Sequence, residues 1–98
     1  MTKLTDVIST QLKNSASLPM TVADNETIIT LDVFPDGENF RSHIALQHSP
    51  DSTNWVSSNQ VTNGSKSITV TLATAYVRAC VVVGEGTAQT ATIFITAK

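Results

Sequence analysis

From residue 27 to residue 96, apolar and polar side chains alternate with a period of two. The runs are short and are broken by turn residues at intervals of roughly 8–12 positions. Ile29, Leu31 and Val33 alternate with Thr30 and Asp32, and Ile68, Val70 and Leu72 alternate with Thr69 and Thr71. Ala91, Ile93 and Ile95 alternate with Thr90, Thr92 and Thr96. Successive side chains of a strand point to opposite faces, so each run describes a strand with one face buried. Phe40, Ile44 and Leu46 share one parity, while Ala75–Val83 is nearly continuously apolar, as a strand covered on both faces requires. Turns are expected at Asp24-Asn25-Glu26, Phe34-Pro35-Asp36-Gly37, Ser49–Asn54, Asn63-Gly64 and Gly84-Glu85-Gly86. About seven strands with no repeat and no linker predict one antiparallel β-sandwich over residues 20–98.

A chain of 98 residues is long enough for a single core without covalent staples. It needs that capacity, because the single cysteine, Cys80, excludes an internal disulfide. Within an apolar strand Cys80 reads as an inert thiol; a nucleophile would need a nearby base, and only Arg78 adjoins it.

Residues 1–19 depart from the alternation. Leu4, Val7, Ile8 and Leu12 fall at helical spacing, but Ser and Thr dilute the helix propensity and Pro19 closes the segment. A short helix, an irregular arm and a first edge strand all fit. An apolar stripe without a place in a seven-strand sandwich predicts a protein interface at these four residues.

Charged residues make up 14% of the chain, against about 25% in typical soluble domains, and the net charge is −2. That balance argues against a nucleic-acid or anionic-membrane partner. The polar surface is neutral instead, with 10 Ser and 15 Thr, as expected of a surface that is either dehydrated in an assembly or adapted to harsh exterior conditions. The opening residues Met1–Asp6 lack the apolar run of a signal peptide, which predicts synthesis and assembly in a cytoplasm.

Across residues 40–98 the order of features resembles the back half of an immunoglobulin or fibronectin type III sandwich. Ile44 and Leu46 lead to a turn and Trp55, then to Ile68, Val70 and Leu72, with Tyr76 four residues on. The Leu72…Tyr76 spacing is similar to a tyrosine corner. However, Tyr76 pointing inward would bring Arg78 with it, so Val77, Ala79, Val81 and Val83 are the expected inward set. Ser49-Pro50-Asp51-Ser52-Thr53-Asn54-Trp55 followed by Ala75-Tyr76-Val77-Arg78 resembles small β-sandwich virion proteins of tailed bacteriophages. That resemblance implies a non-enzymatic structural protein, a head decoration or cement subunit that docks on the shell. Its partners would be the major capsid protein or other virion proteins, with homo-oligomers, trimers included, in the particle. The same pattern occurs in carbohydrate-binding sandwiches, which implies instead a glycan or receptor contact at Asp51, Asn54 and Trp55.

No cofactor or metal is expected. His43 and His48 have opposite parity, and the carboxylates of Asp36, Glu38 and Asp51 lack the spacing of a calcium loop. Each Glu (Glu26, Glu38, Glu85) falls in a turn or loop, which leaves no paired acids for glycoside chemistry. Trp55 reads first as a core plug and second as an exposed stacking platform.

Overall fold

A computed structural model describes residues 1–36, 42–61, 66–84 and 89–98. Among these residues there are eight strands: β1 (Thr2–Ser9), β2 (Met20–Thr21), β3 (Ile28–Asp36), β4 (His43–Ser49), β5 (Val56–Val61), β6 (Lys66–Thr71), β7 (Tyr76–Val83) and β8 (Thr90–Ala97). They form two antiparallel sheets of four, ordered β1-β8-β3-β6 and β2-β7-β4-β5. The protein is therefore the all-β sandwich that the alternation dictates.

The connectivity follows one rule. β4 pairs with β5, β3 with β6, β2 with β7 and β1 with β8. The chain is one long antiparallel hairpin, with β1–β4 as one arm and β5–β8 as the other. Rolling that ribbon brings β8 beside β3 and β7 beside β4, which closes the two sheets. This is a jelly-roll order. It differs from the immunoglobulin order that the resemblance implied, in which ABED form one sheet and CFG the other. Here only β4 and β5 are consecutive strands within one sheet; every other connection crosses between sheets.

Both sheets turn their apolar parity inward. Ile29, Leu31, Val33, Ile93 and Ile95 of one meet Ile44, Leu46, Val77, Ala79 and Val81 of the other, all fully buried. Val77, Ala79 and Val81 are the inward set expected of β7, whereas Val83, expected among them, is 43% exposed at the strand's end.

The first nineteen residues enter the sandwich. β1 pairs along its whole length with β8, from Thr2 opposite Ala97 to Ser9 opposite Thr90. The helical spacing of Leu4, Val7, Ile8 and Leu12 does not become a helix. Residues 14–22 then run antiparallel to β7: Asn14 N donates to Val81 O at 2.7 Å, Ser17 N to Ala79 O at 2.8 Å and Val22 N to Ala75 O at 2.9 Å. From Ala16 opposite Cys80 to Met20 opposite Val77, this edge advances four residues against three. The extra residue falls at Leu18-Pro19, where proline's missing N–H is tolerated at an edge.

The predicted turn at Phe34-Pro35-Asp36 is instead the end of β3, with Pro35 opposite Ala91. Among the described residues β6 begins at Lys66, opposite Val33, and the pairing described for Pro35 is with β8 alone. A residue without a donor is accommodated there. Gly37, the Asn63-Gly64 hairpin, the strand position of Phe40, and Glu38, Asn39, Glu85 and Gly86 lie outside the described residues. No helix among the described residues is long and apolar enough to cross a membrane.

Candidate functional site

Each sheet presents an outer face, and the two differ in chemistry. On β1-β8-β3-β6 the outward rows are read from the register. Lys3, Thr96, Thr30 and Thr69 form one row; Thr5, Phe94, Asp32 and Ser67 the next; Val7, Thr92 and Phe34 a third. Thr30 and Thr69 hydroxyls lie 3.1 Å apart in hydrogen-bond contact. Phe34 and Phe94 occupy diagonal positions, and their rings meet edge to face with centroids 5.5 Å apart and planes at 85°. Diagonal cross-strand neighbours are within reach of aromatic side chains, and this geometry suits their quadrupoles. Val7 at 57%, Phe34 at 50% and Phe94 at 38% exposure make an apolar patch within a field of hydroxyls.

This patch redistributes the four residues expected at an interface. Leu4 and Ile8 point inward, Ile8 with only 4% of its surface exposed and Leu4 packed against the core. Val7 points outward from β1, and Leu12 stands 64% exposed in the connection toward β2. They form no common stripe, because a strand sends alternate residues to opposite faces. Phe34 and Phe94 were not among the expected site residues. Their signal was nonetheless present: each is an apolar residue at the polar parity of an alternating strand.

The outer face of β2-β7-β4-β5 carries a polar relay across three strands. Gln47 lies opposite Arg78 on β7 and Ser57 on β5. Arg78 Nε donates to Gln47 Oε1 at 2.8 Å, and Gln47 Nε2 donates to Ser57 Oγ at 3.2 Å. The Arg78 guanidinium carbon sits 4.3 Å from the centroid of the Trp55 ring. Trp55 is thus neither a full core plug nor a bare platform: it is half-buried, with a cation on its face. One residue pair beyond Arg78 toward the strand end, Cys80 is buried; burial pushes its thiol up, with Arg78 pulling weakly the other way. Beside the relay lies a shallow depression of about 250 Å³ lined by Ala45, Ser57, Ser58, Asn59 and Val82.

Asp51 and Asn54 belong to the β4–β5 turn and are consumed by it. Asp51 Oδ1 accepts from Asn54 N and Thr53 N, both at 2.9 Å, while Oδ2 accepts from Asn54 Nδ2 at 2.8 Å. The Ser49 hydroxyl donates to Oδ1 at 3.0 Å. These donors, the Asn54 backbone N–H foremost, hold the Asp51 carboxyl well below the usual carboxylate range. Ser52 takes the left-handed conformation at φ 59° to close the turn. These bonds give Asp51 and Asn54 a structural role in the turn. Trp55 alone of that trio faces the relay.

At the opposite end of the sandwich, Ser9, Gln11, Asp36, Gln89 and Thr90 line a polar cleft of about 320 Å³. Among the described residues no group of three His, Cys, Asp or Glu side chains is placed to hold a metal ion. No protein-family model and no curated protein matches this chain in sequence comparisons.

Proposed function

We propose that this chain is a structural subunit of a bacteriophage particle, a decoration or cement protein that docks on the capsid through the outer face of β1-β8-β3-β6. The observation that carries this reading is the Val7–Phe34–Phe94 patch set among threonines. Charges are costly to desolvate, whereas hydroxyls and apolar side chains can be covered at little cost; in these three rows Lys3 and Asp32 are the charged residues, and the row holding Val7 and Phe34 has none. A jelly roll suits the role, since the architecture recurs in viral capsid proteins. That support is by analogy of fold, and it sits beside the resemblance of the Ser49–Trp55 and Ala75–Arg78 segments to phage sandwich proteins. The docking residues differ from the arm stripe: Val7 stays, Leu4 and Ile8 leave, and Phe34 and Phe94 enter. The partner is the major capsid protein or a neighbouring virion protein, and copies of this chain meet on the particle lattice.

Mass spectrometry of purified particles of the phage that carries the gene tests the assignment. The chain is expected at a copy number commensurate with the shell, and its absence from intact particles overturns the reading. A second arm uses Phe34→Ser/Phe94→Glu, which alters exposed residues only. It should keep the β-sheet circular dichroism of the parent and lose binding to undecorated shells.

A further inference from the structure

The Arg78 guanidinium is held from two sides, and no described residue neutralises it. Its Nε is spent on Gln47, and its plane lies against Trp55. Among the described residues the ion pair formed is that of Met1 with Glu26, so no carboxylate stands within ion-pair distance of Arg78. The Nη groups, which carry four of the five guanidinium donors, make no hydrogen bond to a described residue. Arg78 is also half-buried on a central strand, where a long side chain ordinarily gains a partner. A guanidinium fixed in direction, with its fork unoccupied, matches a carboxylate in bidentate geometry.

The neighbouring depression says what that carboxylate is attached to. Its floor is Ala45, the small residue of the central strand β4, with Val82 of β7 on one side. The opposite wall is Ser57, Ser58 and Asn59, all exposed on the edge strand β5, with Ser57 opposite the outward-facing Gln47. Ser57 belongs to both features, lining the depression and ending the relay from Arg78. An apolar floor with polar groups along one rim fits a pyranose ring, which has an apolar face of C–H groups and an equatorial fringe of hydroxyls. An extended acidic peptide would instead use backbone hydrogen bonds along a strand edge, and the depression lies on a sheet face.

We propose that the outer face of β2-β7-β4-β5 binds a carboxylate-bearing saccharide of the uronate or sialate class. Arg78 grips the carboxylate, and the ring rests on Ala45 and Val82 with its hydroxyls toward Ser57 and Asn59. The site lies on the sheet opposite the proposed capsid-docking face, so a docked subunit would present it outward; its chemistry stands whether or not the docking reading holds.

The test is a two-dimensional 15N–1H titration of the whole chain with galacturonate, glucuronate and N-acetylneuraminate. Galactose and glucose serve as the neutral parents, and N-acetylglutamate as a carboxylate without a ring. At least one acidic sugar should give saturable shifts at the Trp55 indole N–H, Arg78, Ser57 and Asn59, and bind at least tenfold more tightly than its neutral parent and N-acetylglutamate. Arg78→Gln should abolish that preference for the acidic sugar. If this variant is unstable, Asn59→Ala, at an exposed position, should weaken acidic-sugar binding several-fold while leaving the spectrum of the free protein intact. Three outcomes overturn the proposal: no saturable shift with any acidic sugar, equal affinity for N-acetylglutamate, which would make this an acidic side-chain site, or shifts that spare Ser57 and Asn59.

Discussion

Asp6 Oδ2 accepts a hydrogen bond from Leu18 N at 3.0 Å, and Asp6 Oδ1 accepts from the neighbouring Val7 N at 2.8 Å. Asp6 sits on β1 of one sheet, while Leu18 is the residue at which the edge beside β7 of the other sheet bulges away from its ladder. The carboxylate thus takes up a backbone donor that the bulge releases and ties the two sheets together at their open side. Asp6→Ala removes both bonds at a partly exposed position, and a loss of about 1–2 kcal/mol in unfolding free energy is expected. Urea denaturation with an unchanged slope would register it; a variant as stable as the parent would show that the strap contributes nothing.

Deleting residues 2–16 separates an arm from a strand. β1 pairs residue for residue with β8 and buries Ile8, with Leu4 packed on the core. The two side chains alone represent roughly 3–6 kcal/mol of gross burial, comparable with the net stability of a small domain. The truncated chain is expected to lose its cooperative thermal transition. A sharp melting curve from it would return the segment to the role of a dispensable arm.

Gly84 ends β7 against the backbone of the β1–β2 connection. A Cβ there would stand 2.5 Å from Gln11 O and 2.8 Å from Lys13 N, and both are backbone atoms that no rotamer change can move. Gly84→Ala is expected to destabilise by roughly 1–3 kcal/mol through forced displacement of that connection. Chemical-shift changes should concentrate at residues 10–14, and a variant without them would mean that the approach is looser than described.

Glu26 gives stability a defined pH dependence. Its buried carboxylate accepts from Ala23 N at 2.9 Å and the Thr2 hydroxyl at 2.8 Å, and the Met1 amine lies 3.3 Å away. The Ala23 N–H first, then Thr2, hold its pKa below the ordinary glutamate value. The unfolded chain therefore binds the proton more readily than the native one. The contribution is fully present above the unfolded value of about 4.3 and is lost as pH falls through the native value. Glu26→Gln should flatten the acid limb of a stability–pH curve between about pH 5 and 3. Asp51, also depressed, should leave a residual slope of the same sign.

How much of this was legible before folding varies by element. Alternation identified the inward residues of β3, β6 and β8, because burial of one sheet face imposes a period of two on whatever sequence lies there. The same logic placed Val77, Ala79 and Val81 inside and Arg78 outside. Around Leu4, Ile8 and Leu12 it failed for an arithmetical reason: a spacing of four suits one face of a helix and one face of a strand alike. Only the presence of β8 as a full-length partner decided between them.

Pairing was the part no local signal could carry. Each strand is equally able to join any neighbour, and the rolled order β1-β8-β3-β6 and β2-β7-β4-β5 rests on contacts far apart in the chain. The relay from Ser57 through Gln47 to Arg78 spans separations of 10 and 31 residues, so its members have no motif in common. By itself the sequence determined that the chain is a sandwich and which side chains its core claims, since those follow from the period of burial. The roll, the patch of Val7, Phe34 and Phe94, and the setting of Arg78 between Gln47 and Trp55 were decided by tertiary structure, because only the register between strands places such residues side by side.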